Sequence, residues 1–94
     1  MENNKNLAEI TLIDGKFTGQ EAKEILLHLI FSKMNFHTKK SLGSIERMGE
    51  PDPVSERRIE QLLNSEKEIK ALMEDLAKEN KKLVIQSSIN IRLE

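Results

Sequence analysis

The chain has 94 residues, of which 33% are charged and 37% hydrophobic, and a formal net charge of −1, the profile of one ordinary globular domain. That charge balance supplies no global field to hold nucleic acid or an anionic membrane. With no cysteine there is neither a disulfide framework nor thiolate chemistry, which favours a reducing, cytoplasmic setting.

Residues 1–6 are polar, lack the apolar core of a secretory signal and read as a disordered tail. Residues 7–13 read as a strand, because Ala8, Ile10 and Leu12 alternate with Glu9 and Thr11. Asp14-Gly15 is expected to end it. Thr18-Gly19-Gln20-Glu21 has the spacing of a capping box, in which the Thr18 hydroxyl accepts from an orphan backbone N–H and the Glu21 carboxylate reaches back.

A first helix is therefore expected over residues 19–37. Its main stripe is Ala22, Ile25, Leu26, Leu29, Ile30 and Lys33, while Leu27, Phe31 and Met34 carry apolar surface further around the cylinder. An ordinary surface helix shows an apolar arc a little over about 100° wide. This wider arc calls for something to cover a second face. The densest apolar stretch, Ile25 to Phe31, is interrupted by His28 and is much shorter than the roughly 20 residues that span a bilayer, so no membrane span is expected. Residues 39–51 contain Gly43, Gly49 and Pro51 and read as a loop, with a helical turn around Ser44 to Met48 as an alternative within it.

Asp52-Pro53 is a second start signal: Asp52 is a capping residue, and proline is favoured at the first helical position, where its N–H would be unpaired anyway. The helix it opens is expected over residues 53–83. Its stripe repeats at steps of three and four, with Ile59, Glu66, Met73 and Asn80 in heptad position a and Leu62, Ile69, Leu76 and Leu83 in position d. Leu63, Leu72 and Ala77 widen that stripe beyond the seam of a two-stranded coil. Residues 85–93 then alternate again, Ile89, Ile91 and Leu93 against Ser88, Asn90 and Arg92.

The order is β-α-α-β, a helix-dominated α+β fold of a single domain over residues 1–94. A long antiparallel helical hairpin is expected, with a two-stranded antiparallel ribbon made by the N- and C-terminal strands. A second helix of about 31 residues would be roughly 46 Å long, against a globule diameter of roughly 32 Å for this chain length. The expected overhang, the stripe width and the marginal stability of an isolated ribbon in water argue for a homodimer with a four-helix bundle. Its packing residues are Ile59, Leu62, Ile69, Met73, Leu76, Asn80, Leu83, Leu27 and Phe31, with Asn80 placed to pair with a symmetry mate and fix the register.

Candidates for chemistry are few. His28 and His37 are nine residues apart, on opposite sides of a helix, and cannot form an i,i+4 metal pair; no cofactor is expected. Glu66 on the seam is expected at its rim, near Lys67 and Lys70. Lys33, His37, Lys39, Lys40 and Arg47 make the one local excess of positive charge, a possible patch for an anion or a nucleic-acid backbone. No nucleophile, base and orienting group assemble in the sequence. The function expected is therefore a non-enzymatic protein-interaction module with an unidentified protein partner. A small nucleic-acid-binding or regulatory factor is the alternative.

Overall fold

The computed structural model describes residues 6–94, and its elements follow the expected order: β1 (Asn6–Phe17), α1 (Gly19–Met48), α2 (Pro53–Ala77) and β2 (Leu83–Arg92). The expected tail falls on residues 1–5, outside the described residues, apart from Asn6, which opens β1. The helices form a hairpin, and β1 and β2 pair antiparallel as a two-stranded sheet. No described helix is long and apolar enough to cross a membrane.

Both helix starts are built as their sequences dictate. The Thr18 hydroxyl accepts from the Glu21 N–H at 3.1 Å, and Glu21 Oε1 accepts from the Thr18 N–H at 2.9 Å, completing the capping box. Asp52 Oδ2 accepts from the Ser55 N–H at 2.9 Å, with Pro53 opening α2.

The boundaries correct several expectations. Residues 39–48 are helical instead of a loop, so α1 runs 30 residues from Gly19 to Met48. It ends at Gly49, whose N–H donates to the Ile45 carbonyl at 2.8 Å and whose left-handed φ of 79° turns the chain out of the helix. Burial of Ser41 and Ser44 on the side facing α2 holds this segment in the helix despite Gly43. The true connection is residues 49–52. Helix α2 stops at Ala77 rather than at residue 83, and Asn80 adopts a left-handed φ of 52° in the turn that follows. The longer helix is thus α1, about 45 Å at 1.5 Å per residue, not α2.

The ribbon is longer than expected at both strands. Asp14-Gly15 does not end β1, because Asp14 pairs with Gln86 and Gly15 with Ile85, carrying the strand on to Phe17 opposite Leu83. The apolar residues of β1 change parity along the strand, Ala8 and Ile10 being even and Ile13 and Phe17 odd, whereas Leu83, Ile85, Ile89 and Ile91 in β2 are all odd. A register shift between Thr11 and Ile13 inserts Leu12 as an extra residue and reconciles the two. Directly opposed residues share a face, so Ala8 with Ile91, Ile10 with Ile89, Ile13 with Ser87 and Phe17 with Leu83 form one apolar face. Glu9 with Asn90, Thr11 with Ser88 and Asp14 with Gln86 form the polar one.

The core of the single chain is thin. Among the described residues the buried hydrophobics are Ala22, Ile30 and Met73. The Cα radius of gyration is 17.0 Å and the extents are 50 × 39 × 16 Å, against about 12 Å for the radius of a compact chain of this length. The molecule is a plate in which the ribbon approaches the hairpin through α1.

Candidate functional site

Helix α1 carries more apolar surface than α2 can cover. Its inward line is Ala22, Ile30, His37, Ser41 and Ser44. To one side of that line, at the 3- and 4-residue steps of a single helix face, run Leu27, Phe31, Met34, Thr38, Leu42 and Ile45. Leu27 and Met34 are half-buried, while Phe31, Leu42 and Ile45 stand 42%, 54% and 43% exposed. On the other side Ile25 and Leu29 line a shallow groove with Leu12 and Ile13 of β1. The wide arc read from the sequence is therefore divided among α2, the ribbon and solvent.

The residues expected at a subunit interface fall into separate places. Met73 is buried and Ile59, Leu62, Ile69 and Leu76 are half-buried on the stripe that α2 shares with it. Leu83 is the first residue of β2, opposite Phe17. Asn80 is exposed and off the helix, so it does not sit on the helical seam. Glu66 is half-buried and pairs with Lys70 at 3.0 Å, a rim arrangement. Leu27 and Phe31 belong to the outer stripe of α1. Leu42 and Ile45 extend that stripe and escaped the sequence reading, because their segment carries glycine; the continued 3-4 spacing was the signal that marked them.

At the turn end of the hairpin the two helices meet through small and polar side chains. Ser55 is 1% exposed, and its Oγ shares a hydrogen bond with His37 Nδ1 at 3.2 Å. Ser41 Oγ donates to Glu56 Oε2 at 2.6 Å and accepts from the Asp52 N–H at 3.2 Å. The Phe36 ring meets the His37 imidazole edge-on at 5.1 Å. Burial holds the His37 imidazole below its ordinary 6.5; the Lys33, Arg58 and Lys40 cations push the same way and Asp52 opposes them. Asp52 lies below its ordinary 3.8, chiefly through the Ser55 backbone N–H and then its hydroxyl. The Ser41 proton is committed to Glu56, and no buried side-chain nitrogen or oxygen among the described residues lacks a partner. These hydrogen bonds tie the two helices together at the turn end of the hairpin.

The basic residues expected to act together are split. Lys33, Lys40 and Arg47 follow one another at seven-residue steps on one side of α1, Lys39 projects from another side, and His37 is buried between the helices. Lys33 Nζ lies 5.3 Å from the centroid of Phe36. Among the described residues no cluster of three or more His, Asp or Glu side chains is arranged to hold a metal ion. Comparison of the chain with protein-family models, curated proteins and solved structures finds no match.

Proposed function

We propose that this chain is a non-enzymatic, cytoplasmic protein-interaction module that homodimerises through its helical hairpin. The observation that carries the proposal is the uncovered stripe of α1, Leu27, Phe31, Met34, Leu42 and Ile45, on a chain that buries so little of itself. The accessible surface is 7710 Å², against about 5,500 Å² for a compact monomer of this mass. The excess of about 2,200 Å² is more than the roughly 800 Å² that one partner contributes to a standard interface. Over two chains it amounts to about 4,400 Å², within the range of obligate homodimers, whose interfaces resemble a core cut in half. Two hairpins set back to back on α1 complete a four-helix bundle under a two-fold axis, where each stripe faces its own copy. The polar face of the ribbon and the charged outer side of α2 remain free for the unidentified protein partner.

Replacing Phe31 and Ile45 together by glutamate tests the assignment. Both are substantially exposed in the single chain, so helicity is expected to persist while the mass in solution falls to 10.8 kDa. A double variant that keeps the mass of the parent assembly rules out the α1 stripe as its interface.

The second reading is nucleic-acid binding. It is favoured by the line of Lys33, Lys40 and Arg47, with Arg58 of α2 close enough to bear on the same imidazole as Lys33 and Lys40. It requires binding to duplex or single strands that weakens steeply with salt, and a titration without salt-sensitive binding removes it.

A further inference from the structure

We infer that β2 pairs with β2 of a second copy, antiparallel about a two-fold axis at Ser87, to make a four-stranded sheet in the order β1-β2-β2-β1. This rests on the self-association proposed above and assigns it a second contact. In a two-stranded sheet each strand has one open edge, and an open edge is a template for another strand. The two edges differ in protection. β1 carries Glu9, Asp14 and Lys16, a glycine at position 15 and register shifts at Leu7 and Leu12, the devices that blunt an edge. From Leu83 to Ile91, β2 has no charge, no glycine and no proline, and it contributes no extra residue to either register shift: the unpaired residues, Leu7 and Leu12, both lie on β1, the latter opposite the Ser87-Ser88 step.

The β2 sequence is also self-complementary. Its apolar face reads Leu83, Ile85, Ser87, Ile89, Ile91, the same in either direction by residue class. A two-fold axis at Ser87 sets Leu83 opposite Ile91 of the copy and Ile85 opposite Ile89, with Ser87 facing its own copy between them; the other face sets Gln86 opposite Ser88 and the exposed Val84 opposite Asn90. Lys82 and Arg92 meet at the exposed ends, where salt screens them. The burial within one ribbon fits the same register. Leu83 and Ile85 are half-buried, whereas Ile89 and Ile91 are 41% and 43% exposed. Antiparallel pairing places the open half of each strand beside the covered half of the other, within reach of the copy's α1. Where the β2 axis coincides with that of the hairpins the assembly is a dimer; where the two are perpendicular it is a tetramer.

Because the chain has no cysteine, single cysteines read the pairing directly. A residue on the axis faces its own copy with Cβ atoms about 4.5 to 5.5 Å apart, a separation a disulfide closes with small adjustment. In the full chain, Ser87→Cys is expected to oxidise to a covalent dimer, faster than Ser88→Cys, and without changing the mass of the reduced assembly. Thr11→Cys, on β1 across the sheet, is three strand spacings or about 14 Å from its copy and is expected to stay reduced. Crosslinking at Ser88 in preference to Ser87 overturns the register. A dimer by light scattering in which neither serine position crosslinks overturns strand pairing and leaves the hairpin interface standing. A monomer overturns both.

Discussion

The turn end of the hairpin and the ribbon solve the same problem in opposite ways. Where α1 and α2 come together near His37, Ser41, Ser44 and Ser55, the side chains are small or polar and the hydrogen bonds close on one another within the chain. The ribbon instead collects its isoleucines on one face and leaves Ile10, Ile89 and Ile91 open. Burial without partners is costly for polar groups, so they are satisfied locally. Apolar surface tolerates exposure more readily, and the open isoleucines are part of the surface that the proposed self-association covers.

The contrast can be broken most forcefully at Met73, a buried hydrophobic of α2. Met73→Asp places an unpaired charge between the helices and is expected to cost about 3 to 5 kcal/mol, enough to unfold so small a domain, as followed by circular dichroism on heating. Next in size is Ser55→Leu. The added volume at a site 1% exposed is expected to cost about 1 to 3 kcal/mol in denaturant unfolding and to separate the turn end while sparing the ribbon. Gly49→Ala forces a side chain into a φ of 79° and is expected to cost about 1 kcal/mol, read as a shift in the urea midpoint.

The smallest effect is a pH slope. A His37 pKa held below 6.5 means that the unfolded chain takes up a proton before the folded chain does. Stability is therefore full above about pH 6.5 and declines as pH falls toward the lowered value. Asp52 adds a second decline beginning near its ordinary 3.8, again because the folded state resists protonation. His37→Gln is expected to flatten the first of these and leave the second. An unchanged slope just below pH 6.5 would show that the imidazole is not desolvated by the hairpin.

Local signals carried much of the architecture. The capping box at Thr18 and the Asp52-Pro53 start are written in adjacent residues, and both helices begin where those residues say. The stripe of α2 from Ile59 to Leu76 was legible because its period is unbroken. What was not legible depended on distant partners. Gly43 and the polar residues around it argue for a loop, and only packing of Ser41 and Ser44 against α2 overrides that propensity. Asp14-Gly15 argues for a strand end, and only its pairing with Gln86 and Ile85 carries β1 on. The outer stripe of α1 is legible in its first half, Leu27 and Phe31, and masked at Leu42 and Ile45 by the same glycine-bearing segment. Asn80 followed the heptad by number, but the helix ends before it, in a turn that a left-handed asparagine accommodates.

The most direct test is the mass of the untagged chain by light scattering behind size exclusion, over a dilution from about 100 to about 1 μM, the range in which micromolar association declares itself. The expected result is twice the 10.8 kDa of the chain, or four times that mass if the ribbons pair on an axis of their own. A folded species of 10.8 kDa at every concentration would contradict the account.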